Sequence, residues 1–276
     1  DYYRWLVTWK DMIKMVLGDP VAIVRGLWRY RWMSSYLSIP HFIDGFTEGR
    51  RGAALRVTHL HYNTIVKNAS EIILREFAAD ERIVCVDELV PIQFMAGFPN
   101  LEVVPVQTMP IFLSSMVDQQ IVPPYVDAVE NYGVPADVCP LPSAEAGVAI
   151  EDDFPKVGAC VIANNMPCDS STMNSQLIDR RLGIPSITAD VPMRWEDRNT
   201  DKYALAQMKK TIAFIEEHTG ERFDEEAFWR VIRAHNTEVE REMEKWEYIK
   251  TPYSPIGSSI AALYHAFYFT FSGGRL

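Results

Sequence analysis

Cys139 and Cys168 are the side chains whose type and setting best suit chemistry. The first stands in Asp137-Val138-Cys139-Pro140-Leu141-Pro142-Ser143, and the second in Asn164-Asn165-Met166-Pro167-Cys168-Asp169-Ser170-Ser171. Each sits where a loop leaves a strand or enters a helix. The apolar run Gly158 to Ala163 before Cys168 reads as a buried strand, and helical periodicity follows from about Ser171 to Arg181. That places Cys168 on a βα loop, where open α/β sheets collect their ligands. A thiolate at a helix N-terminus is favoured by the helix dipole and free backbone N–H groups, which suits a metal ligand or a nucleophile. Core packing is the competing reading for any cysteine in so long a chain.

The elements that must position these thiols can be read from the pattern of the 276 residues. From Asp1 to about Phe77 the pattern is helical, rich in tryptophan and arginine, with breaks at Gly18-Asp19-Pro20, Ile39-Pro40 and Gly49 to Gly52. From Arg82 strands and helices alternate. Ile83–Val86 reads as a strand, Leu89–Ala96 as a helix, Leu101–Pro105 as a strand and Pro110–Asp118 as a helix. Tyr125–Tyr132 continues as helix, Ala159–Ala163 as strand, Ser171–Arg181 as helix and Ser186–Ala189 as strand. Repeated βα units of this length predict an α/β fold built on a parallel sheet. Beyond Val191 the chain turns helical again, with one helix from about Thr200 to His218 ending at Gly220. A second starts at Asp224, whose carboxylate can cap it. The predicted organisation is therefore a helical segment over 1–80, an α/β lobe over 81–195 that carries the cysteines, and a helical region over 196–276.

Composition excludes several classes. Hydrophobic residues make up 48% of the chain, enough to bury a large core. Lys and Arg number 27 against 37 Asp and Glu, a formal charge of −10, which opposes general nucleic-acid binding. Four cysteines are too few for a disulfide scaffold and point to a reducing, cytoplasmic setting. No signal-peptide pattern appears at the N-terminus. The most apolar run, Ile256–Phe271, carries Ser258, Ser259, His265 and Thr270 and is shorter than the ~20 residues of a membrane span, so it reads as a buried helix. Cys85 and Cys160 lie inside apolar strand runs and read as small buried hydrophobes. His59 and His61, two apart on a helix, point to different faces. The aromatic, basic stretch Arg25–Trp32 reads as packing over the protein's own body or a partner rather than a membrane or nucleic acid. Arg50 and Arg51 read as a solvated loop, with coenzyme A phosphates as the alternative.

Several segments, in consistent order from about Arg82 to Ser272, carry a family resemblance. They are Asp87-Glu88-Leu89-Val90-Pro91 with Phe94, Ala96 and Gly97; Ala136–Cys139; Ala163–Asp169; Leu182–Pro192; and Glu217–Asp224. Together they resemble the 2-hydroxyacyl-CoA dehydratase subunits, a family that includes the benzoyl-CoA reductase subunits. The resemblance implies two Rossmann-like lobes with helical additions and a [4Fe-4S] cluster held by three cysteines. The first two of these fall on Cys139 and Cys168. The third would lie in a second lobe, beyond the matched segments, so either the chain is cut before that lobe or its cluster is held differently, Cys85 and Cys160 being the other cysteines available. The implied partners are a homologous second subunit, an ATP-hydrolysing iron–sulfur activator and an acyl-CoA substrate. The implied chemistry is one low-potential electron that makes a ketyl radical from the thioester, letting a β-proton leave and the α-hydroxyl be expelled. No Gly-x-x-x-x-Gly-Lys-Ser/Thr loop is present, so the nucleotide chemistry would belong to the activator.

The sequence also departs from the family pattern. Catalytic subunits carry a serine shortly before the proline matching Pro91 and a glutamate after the proline matching Pro105. Here Val86 or Glu88, and Val106, stand nearest to those places. Three functions stay open on the sequence: a dehydratase or acyl-CoA reductase subunit, a non-catalytic partner subunit, or a relative that reduces a substrate other than a coenzyme A thioester.

Overall fold

The computed structural model describes residues 10, 13–14, 16–35, 51–52, 55–56, 58–59, 82–87, 90–105, 110–111, 114–153, 160–164, 169–192, 198–250 and 252. Its frame is a four-stranded sheet in the order β2-β1-β3-β4, with β1 at Ile83–Val86, β2 at Glu102–Pro105, β3 at Cys160–Asn164 and β4 at Ser186–Ala189. All three pairings are parallel, and the register sets Cys85 opposite Val104 and Val161, and Ile162 opposite Ile187. Parallel neighbours need crossover connections, so helices cover the sheet.

Strand β1 shows how the two faces are filled. Its four residues, Ile-Val-Cys-Val, are all buried because it has a neighbour on each side and a packed layer on each face. Side chains alternate between those faces. Ile83 and Cys85 enter one core with Tyr30, Trp32, Tyr125, Val129 and Ile178. Val84 and Val86 enter the other with Phe94, Phe98, Val103 and Ile215.

The first face is covered by helices from both sides of β1 in sequence. Helix α1, Pro20–Arg29, starts where Asp19 Oδ1 accepts from the Ala22 N–H at 2.9 Å, with Pro20 at its first position. The short α2, Arg31–Ser35, follows. Between β2 and β3 lie α3 (Ser114–Val117), α4 (Pro123–Tyr132) and α5 (Pro140–Ile150). Helix α6, Asp169–Leu182, joins β3 to β4, and the same core takes in Ile178, Leu177 and Leu182 from it. On the second face, α7 (Arg198–Thr219) contributes Ile215 and, partly buried, Met208 and Ile212. It ends at Gly220, whose φ of +72° is the left-handed turn glycine takes without strain. Asp224 Oδ1 then accepts from the Ala227 N–H at 2.9 Å and opens α8, Glu225–Ile249.

A charged clasp ties α1 and α2 to the far end of α5. Arg31 Nε lies 2.7 Å from Asp153 Oδ2, and Arg31 Nη2 lies 2.8 Å from Glu151 Oε2. The Tyr125 hydroxyl donates to the same Asp153 oxygen at 2.9 Å, the Trp32 indole donates to the Asp153 carbonyl at 3.0 Å, and Arg29 pairs with Asp152 at 3.3 Å. Burial opposes the Arg31 charge, yet its bonds to Asp153 and Glu151 hold the guanidinium protonated more firmly than usual. Burial, then the Asp153 charge, pushes the Tyr125 phenol well above its ordinary range. The stretch Arg25–Trp32 thus packs on the protein itself, with Tyr30 and Trp32 fully buried, while Trp28 stays 92% exposed.

Several elements differ from the sequence expectation. The helix expected over Leu89–Ala96 is a 3-10 segment, Ile92–Gly97, because Pro91 and Pro99 leave no length for an α-helix between β1 and β2. Its i→i+3 bonds, Phe94 N–H to Pro91 O and Phe98 N–H to Met95 O, are both 2.9 Å. The helix expected over Pro110–Asp118 is described only as Ser114–Val117, followed by a 3-10 turn at Gln119–Ile121. Helix α5 was not expected at all. The run Ile256–Phe271 lies outside the described residues. Among the described residues no helix is long and apolar enough to cross a membrane.

Candidate functional site at the C-terminal edge of the sheet

In the order β2-β1-β3-β4, chain direction across the sheet reverses between β1 and β3: β1 leads outward to β2, and β3 leads outward to β4. In an open parallel sheet the C-terminal side of such a reversal is the usual ligand position.

The two helices that follow the cysteines in sequence start at this edge by topology. Helix α5 leads into β3 and α6 leads out of it into β4, and a helix linking parallel strands runs antiparallel to them. Their shared direction is fixed again by a contact at their last turns, where Arg181 Nη2 donates to the Ile150 carbonyl at 3.5 Å. The starts of α5 and α6 therefore lie together at the C-terminal edge. Cys139 is the residue just before α5, and Cys168 is the residue just before α6.

Cys139 is free and exposed. It occupies the N-cap position, yet its side chain makes no capping bond. The local sequence contributes, since Pro142 at the third helical position has no N–H and so removes one of the two donors a cap normally satisfies, leaving that of Leu141. What remains is held by the backbone: the Ser143 hydroxyl and N–H reach the Cys139 carbonyl at 3.0 and 3.4 Å. Among the described residues no bond commits the thiol. Cys168 lies outside the described residues, as do Glu88 and Val106. Cys85 is fully buried in the core, as its apolar strand run predicts. Cys160 opens β3, and nothing of its side chain is described. Val86 is buried at the end of β1. Among the described residues no group of three or more His, Cys, Asp or Glu side chains could hold a metal ion. His59 is partly buried, which depresses its pKa, while Arg51 is exposed; His61 and Arg50 are outside the described residues.

Two polar pairs on this edge were not foreseen. Asp87, one residue past β1 and 3% exposed, accepts a hydrogen bond from the hydroxyl of Ser171, which is 2% exposed in the first turn of α6. Asp190, one residue past β4, accepts from the Tyr203 hydroxyl in α7. That bond raises the Tyr203 pKa. The signal available in sequence was position alone: each carboxylate directly follows a predicted strand, Ile83–Val86 or Ser186–Ala189.

Cavities near and far from the edge differ in size. Beside the Cys139 loop a cleft of ≈ 80 Å³ is lined by Val126, Val134, Val138 and Pro140, far below the 300–1,000 Å³ of a typical small-molecule pocket. A larger cavity, ≈ 460 Å³, lies among Ala149, Asp152, Arg181, Leu182 and Ile184, at the opposite ends of α5 and α6.

The donor chemistry at the edge suits an iron–sulfur group in one respect that can be read directly: an exposed, unbonded thiol at the head of a helix is the ligand type such clusters use. No curated protein matches the sequence. A family model described as 2-hydroxyglutaryl-CoA dehydratase, D-component, matches residues 109–275. The match spans more than half of the chain, from before α3 to beyond α8, and takes in both cysteine loops, so the chain belongs to the 2-hydroxyglutaryl-CoA dehydratase D-component family.

Proposed function

We propose that this chain is the iron–sulfur subunit of an ATP-activator-dependent 2-hydroxyacyl-CoA dehydratase or related acyl-CoA reductase, with Cys139 and Cys168 as ligands of a [4Fe-4S] cluster. The α/β unit is then a Rossmann-like lobe whose crevice receives the thioester. The observation that carries the reading is the arrangement of α5 and α6, which start at one edge of the sheet, each directly after a cysteine, with the Cys139 thiol exposed and free. When bound, the cluster would supply a single low-potential electron to the thioester carbonyl. The chain's own part is to hold the ligand loops at the helix heads and to offer hydroxyl and carboxylate groups around the crevice. Nothing in the sequence reads as a nucleotide-hydrolysing loop, so the driving energy comes from a separate activator, in an anaerobic, cytoplasmic setting, with a homologous second subunit completing the complex.

A second reading is favoured by Val86. Where catalytic subunits of the family place a serine shortly before the proline, the nearest positions here are Val86, buried at the end of β1, or Glu88. A subunit without that polar group would complete the interface or relay electrons, and leave dehydration to its partner.

The test is anaerobic reconstitution of the chain with iron and sulfide. The expected result is broad visible absorption, lost in Cys139→Ser and in Cys168→Ser but kept in Cys85→Ala. Unchanged iron content in Cys139→Ser would overturn the ligand assignment. Mixing the reconstituted chain with a homologous subunit, an activator and a panel of acyl-CoA thioesters then separates the two readings. A substitution confined to this chain's crevice alters turnover only if this subunit is catalytic. Oxygen-tolerant, ATP-independent turnover by this chain alone would overturn both.

A further inference from the structure

Helix α8 carries a seam that neither core takes in. Trp229, Ile232, Asn236, Val239, Met243 and Trp246 fall alternately three and four residues apart, the repeat that keeps one stripe facing a neighbouring helix. Trp229, Met243 and Trp246 are 47%, 64% and 53% exposed, and Ile232 and Val239 are partly buried. The helix is anchored at its start, where Ala227 is buried, Phe228 lies against the Phe223 ring and Ile92–Gly97 packs on it. From Trp229 to Trp246 the seam runs about 25 Å at 1.5 Å per residue. Large apolar side chains exposed in line along a helix mark an interaction surface.

The charges beside the seam select its occupant. Helix α8 holds seven Glu against four Arg and Lys, which opposes an anionic lipid surface. Two copies laid antiparallel complement each other instead. Trp229 of one copy then meets Trp246 of the other, Ile232 meets Met243 and Asn236 meets Val239, each contact occurring twice about a two-fold axis. On one edge Arg233 faces Glu240 of the other copy, again twice. Both side chains are exposed, and neither is in an ion pair among the described residues. The like-charged pair on that edge, Glu226 with Glu247, is relieved because Glu247 bonds Lys250 at 2.6 Å. On the other edge His235 and Glu242 already pair within the helix, with Glu238 and Lys245. A parallel pairing would set Arg233 beside Phe228 and forfeit its acidic partner. The polar Asn236 within the seam penalises other registers.

We propose that α8 is a homodimer contact, pairing antiparallel with α8 of a second copy along the Trp229–Trp246 seam, with reciprocal Arg233–Glu240 ion pairs. The contact uses neither cysteine loop, so it stands apart from the cluster reading. The test is sedimentation of the full chain over a concentration series, as wild type, Arg233→Glu, Glu240→Arg, the double variant and Met243→Lys, with circular dichroism to confirm that each is folded. The wild type should dimerise. Arg233→Glu and Glu240→Arg each set like charges face to face twice and should weaken the dimer at least about tenfold. The double variant exchanges the two signs and should restore it, as should an equimolar mixture of the two single variants. Met243→Lys, at an exposed position, should give a folded monomer. A wild-type chain that stays monomeric up to ~100 μM overturns the proposal, as does a dimer that survives Met243→Lys and ignores the charge variants. Single variants that weaken the dimer without rescue by the double variant overturn the antiparallel register. If the chain associates only after a homologous subunit or anionic vesicles are added, the seam belongs to that partner and the second-copy assignment fails.

Discussion

Helix α5 has two unlike ends. At its C-terminal end Arg31, Glu151, Asp153, Tyr125 and Trp32 bond to one another, and the phenol and the Asp153 carboxylate are sealed from water. At its N-terminal end Pro142 removes one of the donors a capping side chain could use, and the Cys139 thiol is exposed and makes no capping bond. The same helix thus fixes the fold at one end and presents an exposed thiol at the other.

Breaking the clasp should have the largest effect on stability. Asp153→Ala leaves the Tyr125 hydroxyl, 1% exposed, and the Arg31 Nε without their shared acceptor. An orphaned buried hydroxyl together with a lost charge-assisted bond costs about 3 kcal/mol, with half-exposed Arg31 contributing the lesser part. Urea unfolding checks it, and a loss below about 1 kcal/mol would show that the N-terminal helices are held by apolar packing instead.

Next comes the middle of the helix. A Cβ at Gly147 would sit 2.1 Å from the Tyr125 backbone carbonyl oxygen, a contact no rotamer change can relieve. Gly147→Ala must push α4 and α5 apart at a cost on the order of 2 kcal/mol. Because that movement travels along α5, it links the two ends. Cluster uptake should fall in Gly147→Ala but not in Asp153→Ala, and equal loss in both would erase the distinction between the ends.

The contrast also explains what the sequence could and could not tell. Strands β1, β2 and β4 were legible as short apolar runs bounded by polar or proline residues, and α7 and α8 as long periodic helices with a glycine stop and an aspartate cap. Helix α5 was hidden because Pro142 to Ala149 are all buried, so its apolar residues show no single face, and its two prolines read as loop. The clasp was hidden for another reason: Arg31 and Glu151 are 120 residues apart, and nothing local marks them as partners. Cys139 was visible by type and by resemblance, but its freedom from capping follows only once α5 is known to start at Pro140. Asp87 and Ser171 each looked ordinary until the sheet order brought β1 beside β3.

A smaller effect appears at high pH. Burial and the Asp153 charge raise the Tyr125 pKa in the folded protein above the value near 10 of the unfolded chain. A raised pKa means the folded state holds its proton longer, so this contribution is fully present below about pH 10 and is lost as pH rises further. Stability measured by urea unfolding from pH 8 to 11 should fall more steeply for the wild type than for Tyr125→Phe. Parallel curves would mean the phenol ionises as freely folded as unfolded.

The smallest stability effect should come from the thiol proposed as a cluster ligand. Cys139 Sγ is exposed, caps nothing and packs in neither core, so Cys139→Ser exchanges one solvated group for another and should change unfolding free energy by no more than about 0.5 kcal/mol. Serine at an N-cap can also accept a backbone N–H bond, which would tip the small change toward stabilisation. A group that gives the fold so little, at a helix head on the ligand edge of the sheet, is available for binding. Unfolding and iron uptake measured on the same Cys139→Ser preparation decide the matter: unchanged stability with lost iron assigns the thiol to the cluster, whereas a loss above about 1.5 kcal/mol would show that Cys139 is held by packing and that the two ends of α5 are more alike than their contacts indicate.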